Sequence, residues 1–141
     1  MFDIFFAQPH TPLNTFQQCR LRWVSTDLVC ASLTCGTTHT LRDAGRIGRL
    51  VTRATLQRDD LEVVAINDPS MDAEDCAYLL KYDTTQGTLT NAVHADGDDL
   101  VVDGRRIRCT SHANPADVPW AQAGVQVVCE SSGKFLDVSR W

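Results

Sequence analysis

Gly45-Arg46-Ile47-Gly48 is the stretch of this sequence whose residue types and spacing point most directly to chemistry. It matches the last two glycines of a Gly-x-Gly-x-x-Gly fingerprint and stands where a helical period begins. The middle glycine of such a loop lets backbone come close to phosphates, and the last lets helix and strand pack tightly. The free N–H groups of the helix start face the anion. Asp68 follows twenty residues after Gly48, at the end of an apolar run. That is where the fingerprint expects a carboxylate to take the ribose hydroxyls, and a carboxylate there selects against a 2′-phosphate, so NAD is favoured over NADP. Taken alone, a Gly-x-x-Gly helix start has little specificity, and an aspartate before Pro69 serves equally as a turn residue.

These residues need a helix and a strand to place them, and the pattern supplies both. Ile47, Leu50, Val51 and Ala54 fall at i, i+3, i+4 and i+7, one face of a helix, with Arg46, Arg49 and Arg53 assigned to its wet side. Leu61–Ile66 reads as a strand buried on both faces. Asp72 is placed to cap a second helix whose apolar positions are Ala73, Cys76, Ala77, Leu79 and Leu80. Asp96-Gly97 and Asp103-Gly104 then divide short strands of a meander. Asn114-Pro115 and Pro119 frame a turn or short helical segment in which Trp120 is a packing anchor. Val125–Cys129 forms another buried strand. Helix, strand, helix, meander, strand is the order of an α/β sheet.

The bulk properties exclude several function classes. Thirteen basic side chains against eighteen acidic ones give a formal charge of −5, with no general attraction for nucleic acid or an anionic membrane surface. No apolar run approaches the ~20 residues that cross a bilayer. The start, Met1-Phe2-Asp3-Ile4-Phe5-Phe6, lacks a basic n-region, so a cytoplasmic protein is expected. The six cysteines (Cys19, Cys30, Cys35, Cys76, Cys109, Cys129) show no zinc-ligand spacing, and the last three sit in apolar patterns as small buried hydrophobes. His10, His39, His94 and His112 are far apart, and His94 alternates toward solvent. Asp98, Asp99 and Asp103 lack EF-hand spacing and read as charged turn residues, so no metal site is expected.

Five blocks, in order, resemble consecutive signatures of glyceraldehyde-3-phosphate dehydrogenase. They are Gly45-Arg46-Ile47-Gly48-Arg49-Leu50-Val51, Val64-Ala65-Ile66-Asn67-Asp68-Pro69, Leu80-Lys81-Tyr82-Asp83-Thr84-Thr85-Gln86-Gly87, Val118-Pro119-Trp120 and Val128-Cys129-Glu130-Ser131-Ser132-Gly133. The resemblance covers residues 45 to about 135 and implies a Rossmann-like α/β domain that binds NAD. It implies cofactor contacts from Gly45, Arg46, Ile47 and Gly48 at the helix start. It further implies that Asp68, with Asn67 beside it, holds the adenosine ribose, and that Ser132 lies on the nicotinamide side. Family subunits form homo-tetramers.

The departures matter equally. Where the family runs a buried strand into the glycine loop, this chain has Thr40-Leu41-Arg42-Asp43-Ala44, which is no strand pattern, so the first strand is read as replaced. Asp43 takes the place of the first glycine, Ala44 that of an aromatic residue, and Ala113 that of an arginine on the adenine side. Residues 1–44 are expected to form an atypical, loosely ordered segment whose one strand candidate is Leu28–Leu33, and 136–141 a divergent tail. The missing strand would leave Leu61–Ile66 and Val125–Cys129 with open edges. None of the six cysteines matches the family's Ser-Cys-Thr-Thr-Asn nucleophile segment, so no catalytic residue is assigned and this chain alone is expected to be inactive. Two alternatives stay open. The chain is a non-catalytic product of altered splicing or gene-model error, acting at most as an interaction module, or residues 1–44 are an organelle transit segment.

Overall fold

The computed structural model describes residues 2–7, 16–21, 37–42, 44–120 and 122–134. Strands β1 (Phe2–Ala7), β2 (Phe16–Leu21) and β3 (Thr37–Arg42) precede helix α1 (Arg46–Thr55), strand β4 (Leu61–Asn67) and helix α2 (Ala73–Lys81). A two-stranded ribbon, β5 (Tyr82–Asp83) with β6 (Gly87–Thr88), leads to the meander β7 (Val93–Asp96), β8 (Asp99–Val102) and β9 (Arg105–Thr110). A 3-10 turn at Pro115–Asp117 precedes β10 (Val127–Glu130). One sheet takes eight strands in the order β2-β1-β10-β3-β4-β9-β8-β7. Within it β10, β3, β4 and β9 are mutually parallel, and both flanks are antiparallel. Numbered by appearance, β9-β4-β3-β10 is the doubly wound order 3-2-1-4.

The place of the first parallel strand is filled, contrary to the pattern at Thr40–Ala44. β3 runs parallel to β4 on one side and β10 on the other, so the two edges expected to be open are paired. The first strand is replaced in its residues and kept in its position. Thr37-Thr38-His39-Thr40-Leu41 lacks the Val and Ile by which a doubly buried strand is read, yet three β-branched threonines suit extended backbone. The candidate at 28–33 lies outside the described residues. The early strands are instead β1 and β2, which extend the sheet beyond β10.

β4 carries one extra residue. His39 pairs with Val63 and Thr40 with Ala65, so Val64 has no partner of its own on β3. Such a bulge reverses the alternation of side chains along a strand. This is why Val63 and Ile66, three apart, belong to the same core cluster. That cluster joins them to Cys76, Ala77 and Leu80 of α2, Leu100 and Val102 of β8, Ile107 of β9, and Val127 and Cys129 of β10. Val128, between the last two, points to the other face and packs with Val118 and Trp120. The Trp120 indole donates to the Pro115 carbonyl at 3.1 Å, which satisfies the polar end of a buried ring.

Helix α1 departs from its expected orientation. Ile47, Leu50, Val51 and Ala54 are only partly buried, while Gly48, Thr52, Arg53 and Thr55 are buried. Small and hydroxyl side chains allow close approach to the sheet. Thr52 and Thr55 donate to the carbonyls of Gly48 (2.9 Å) and Val51 (3.0 Å), so neither hydroxyl is left unpaired. Arg53 is 7% exposed, which corrects its assignment to the wet face. Its guanidinium donates to the carbonyls of Leu80 (3.1 and 2.7 Å), Lys81 (3.2 Å) and Gly87 (3.0 Å). Those carbonyls include the last turn of α2, where a cation complements the helix dipole. The N-terminus of α2 is as expected: Asp72 accepts from the Asp75 amide at 2.8 Å. The meander turns also hold, with Gly97 at φ +63° and Asp103-Gly104 at +49° and +81°, the positive angles tight hairpins require.

Replacing Arg53 by Met keeps much of the volume and deletes the guanidinium, leaving buried carbonyls at the end of α2 unpaired. We expect a loss of about 2–3 kcal/mol in urea unfolding. Arg53→Lys should recover only part, since a single ammonium lacks the planar fork whose separate nitrogens reach these carbonyls.

Candidate functional site

The four parallel strands end level. Thr110 pairs with Asn67, Asn67 with Arg42, and Arg42 with Glu130, so the carboxyl ends of β9, β4, β3 and β10 form one row. At about 4.8 Å between neighbours, the row spans about 14 Å. The chain turns one way from β3 through α1 to β4, and returns on the other side of β3 as β10. The crevice beyond the ends of β3 and β10 is therefore the topological switch point, where open α/β sheets take ligands. The start of α1 and the loop 131–133 follow these two neighbouring strand ends.

Of the residues singled out from the sequence, Gly45 is the N-cap of α1, and Arg46, Ile47 and Gly48 form its first turn. No side chain caps this helix and its first turn holds no acid, whereas α2 is capped by Asp72 and carries Glu74 and Asp75. The α1 start is therefore the end suited to an external anion. The Arg46 guanidinium is exposed and donates to Thr85 Oγ1 at 2.6 Å. Asp83 accepts from the amides of Gln86 and Thr85, which holds its carboxyl below the usual range and fixes the turn that presents Thr85. Arg49 donates to the Ala44 carbonyl at 2.9 Å.

Asp68 and Asn67 are structural clamps as well as candidates. Asp68, 3% exposed, accepts from the Ala44 amide through Oδ2 (2.9 Å) and from the Ser70 amide (2.8 Å) and hydroxyl (2.7 Å) through Oδ1. It thus ties the end of β4 to the turn between β3 and α1. Fully buried Asn67 donates to the His112 carbonyl (2.9 Å) and accepts from the His112 amide (2.9 Å) and Thr110 hydroxyl (3.0 Å). Across the crevice, Ser132 donates its amide (2.6 Å) and its hydroxyl to Oε1 of Glu130, a buried carboxylate that holds the loop after β10.

A cavity of about 620 Å³ opens at the β9 side of the row, lined among others by Pro69, Ser70, Met71, Thr110, Ser111 and His112. It adjoins Asp68, and Gly45–Gly48 and Ser132 do not line it. Sequence reasoning passes over Ser70 and Thr110–His112. Only their places, after a buried strand and at the end of the third parallel strand, could have marked them. His94 and His112 are exposed, and Asp98 and Asp103 are exposed turn residues. Cys76, Cys109 and Cys129 are free thiols. Burial pushes the Cys129 thiol up to about 11, whereas the Cys76 thiol is raised by the contact of Cys76 with Cys109 and by burial.

Residues 41–138 match the family model described as glyceraldehyde 3-phosphate dehydrogenase, NAD binding domain. The chain is 47% identical over 96 residues to the cytosolic glyceraldehyde-3-phosphate dehydrogenase of Chlamydomonas reinhardtii, covering 68% of this chain and 28% of that protein. It is 45% identical over 97 residues to a chloroplastic enzyme of that name from Arabidopsis thaliana, covering 68% and 23%. With the enzyme of Shimwellia blattae identity is 50% over 92 residues, 65% of this chain and 28% of the other. The matched part is thus about a quarter of such relatives' length.

Two outcomes test this geometry. In Asp68→Asn one oxygen becomes a donor that must face either the Ala44 or the Ser70 amide. We expect a loss of about 1–3 kcal/mol and faster hydrogen exchange at the Ala44 amide. At pH 8, Cys129 should stay unreactive toward a disulfide reagent until denaturant is added, since its thiol remains protonated and buried.

Proposed function

Because the chain belongs to the family of NAD-binding domains of glyceraldehyde-3-phosphate dehydrogenase, we propose that it holds NAD along the level row of strand ends, with the pyrophosphate at the start of α1. The single observation carrying this placement is the join at the switch point. The helix start, which has no side-chain cap bond, lies beside a buried carboxylate, Asp68, which fixes the turn leading into it. The residues fit the cofactor's chemistry: backbone N–H groups and a cationic Arg46 for two phosphates, and a carboxylate for a ribose diol.

In this reading Gly45, Arg46, Ile47 and Gly48 serve the pyrophosphate, Asp68 the adenosine ribose, and Ser132 the nicotinamide side. Asn67 holds Asp68 in place by pinning the end of β4 to His112. The Asp68 carboxylate also repels a 2′-phosphate, which favours NAD over NADP. When bound, the cofactor supplies a hydride acceptor. Glu130 keeps Ser132 at the edge of the crevice by accepting both of its donors. For the whole protein we propose the phosphorylating oxidation of an aldehyde, in a cytoplasmic homo-oligomer. The 141 residues of this chain contribute the cofactor side.

Asp43, in the place of the fingerprint's first glycine, opposes binding through its Cβ and its charge. Like charges ~4 Å apart at an effective dielectric of ~20 repel by about 4 kcal/mol, an upper bound that solvent reduces. Calorimetry should therefore show weak NAD binding by the 141-residue chain and tighter binding by Asp43→Gly; equal or weaker affinity in the variant counts against the placement. The same chain should form no NADH from glyceraldehyde 3-phosphate, because none of its cysteines lies in the family's nucleophile segment.

A further inference from the structure

A ribose offers two adjacent hydroxyls, and a carboxylate that takes both, one on each oxygen, needs an open acceptor position on each. A carboxylate has about four such positions in all. Among the described residues, Asp68 already accepts from three protein donors. Among these residues Oδ2 takes only the Ala44 amide. Oδ1 takes both the amide and the hydroxyl of Ser70, which fills it. At 3% exposure, Asp68 keeps only a small opening to solvent. As folded, the carboxylate is free to meet one hydroxyl of the diol and not two.

We propose that the Ser70 hydroxyl is an exchangeable stand-in for a ribose hydroxyl and sets the affinity and sugar selectivity of the site. This deepens the NAD placement proposed above and rests on it. The amide of Ser70 is fixed by the turn, but its hydroxyl depends on one side-chain torsion. Ser70 is exposed and lines the cavity beside Asp68, so rotation of that torsion uncovers Oδ1 toward the cavity without moving backbone. A sugar with both hydroxyls then replaces the serine on Oδ1 and adds a bond on Oδ2. One with a single hydroxyl uses the position on Oδ2 and leaves Ser70 where it is. The bond given up by Ser70 subtracts from the affinity for the full diol only.

The test is calorimetric titration of NAD, and of its analogue deoxygenated at the adenosine 2′ position, into the full chain and into Ser70→Ala and Ser70→Thr. The alanine variant keeps the backbone amide on Oδ1, and its melting temperature is read alongside. We expect Ser70→Ala to bind NAD roughly two- to tenfold more tightly, the worth of one hydrogen bond, with the deoxy analogue changed less than twofold. Ser70→Thr, which restores the hydroxyl, should return the wild-type affinity for NAD. Unchanged NAD affinity in Ser70→Ala, or equal tightening for both ligands, overturns the exchange while leaving the NAD placement standing. Absence of NAD binding by the wild-type chain and both variants overturns the placement and the exchange together.

Discussion

Every strand that carries a candidate residue is tied to Thr37–Arg42, directly or through one neighbour. The parallel ladders on its two sides set the heights of β4 and β10, and β4 in turn sets that of β9. Remove this strand and the level row of carboxyl ends has no centre. The glycine turn would then be attached to nothing, and the loop after β10 would lose its fixed distance from it. The sheet's order, and with it the crevice, depends on a segment with little aliphatic content.

On that frame, the crevice is made rigid by side chains that accept backbone hydrogen bonds. Asp68 holds the turn before α1, Glu130 the loop after β10, and Asn67 the exit from β9. All three are buried, at 3%, 2% and 0% exposure, and each accepts from a nearby main-chain amide and a nearby hydroxyl. Buried polar groups specify a geometry when all are satisfied and become costly when one partner is lost. Arg53 is the donor counterpart at the opposite end of α1, where its fork gathers carbonyls from the end of α2 and from the ribbon beyond.

Much of this is legible in the sequence. The caps, turns and alternation after Gly45 yield α2 with its Asp72 cap, the meander with its Asp-Gly turns, and the strands around Val63 and Val128. The residues of the glycine start and Asp68 follow from spacing alone. What hides β3 is chemistry: threonines suit extended backbone but lack the Val and Ile pattern by which a central strand is read. What hides Arg53 is periodicity, which assigns a charge to water and cannot foresee a ring of helix-end carbonyls waiting for it. Ser70 escapes notice because its significance lies in an acceptor count on its neighbour.

The unpaired Val64 has a consequence for how this strand tolerates change. Counting residues from the start of β4, the bulge acts as a half-period phase slip, so the residues before it and after it are in opposite phase with respect to the sheet. Ile66 faces the helices because of that slip, and Asp68, two residues on, keeps the same parity toward the turn before α1. Shortening the strand by one residue would keep its composition, hydropathy and length class almost intact while inverting the side on which its acid emerges. In a chain of this kind the length of β4 is therefore held to the single residue by its phase, independently of which apolar side chains fill it.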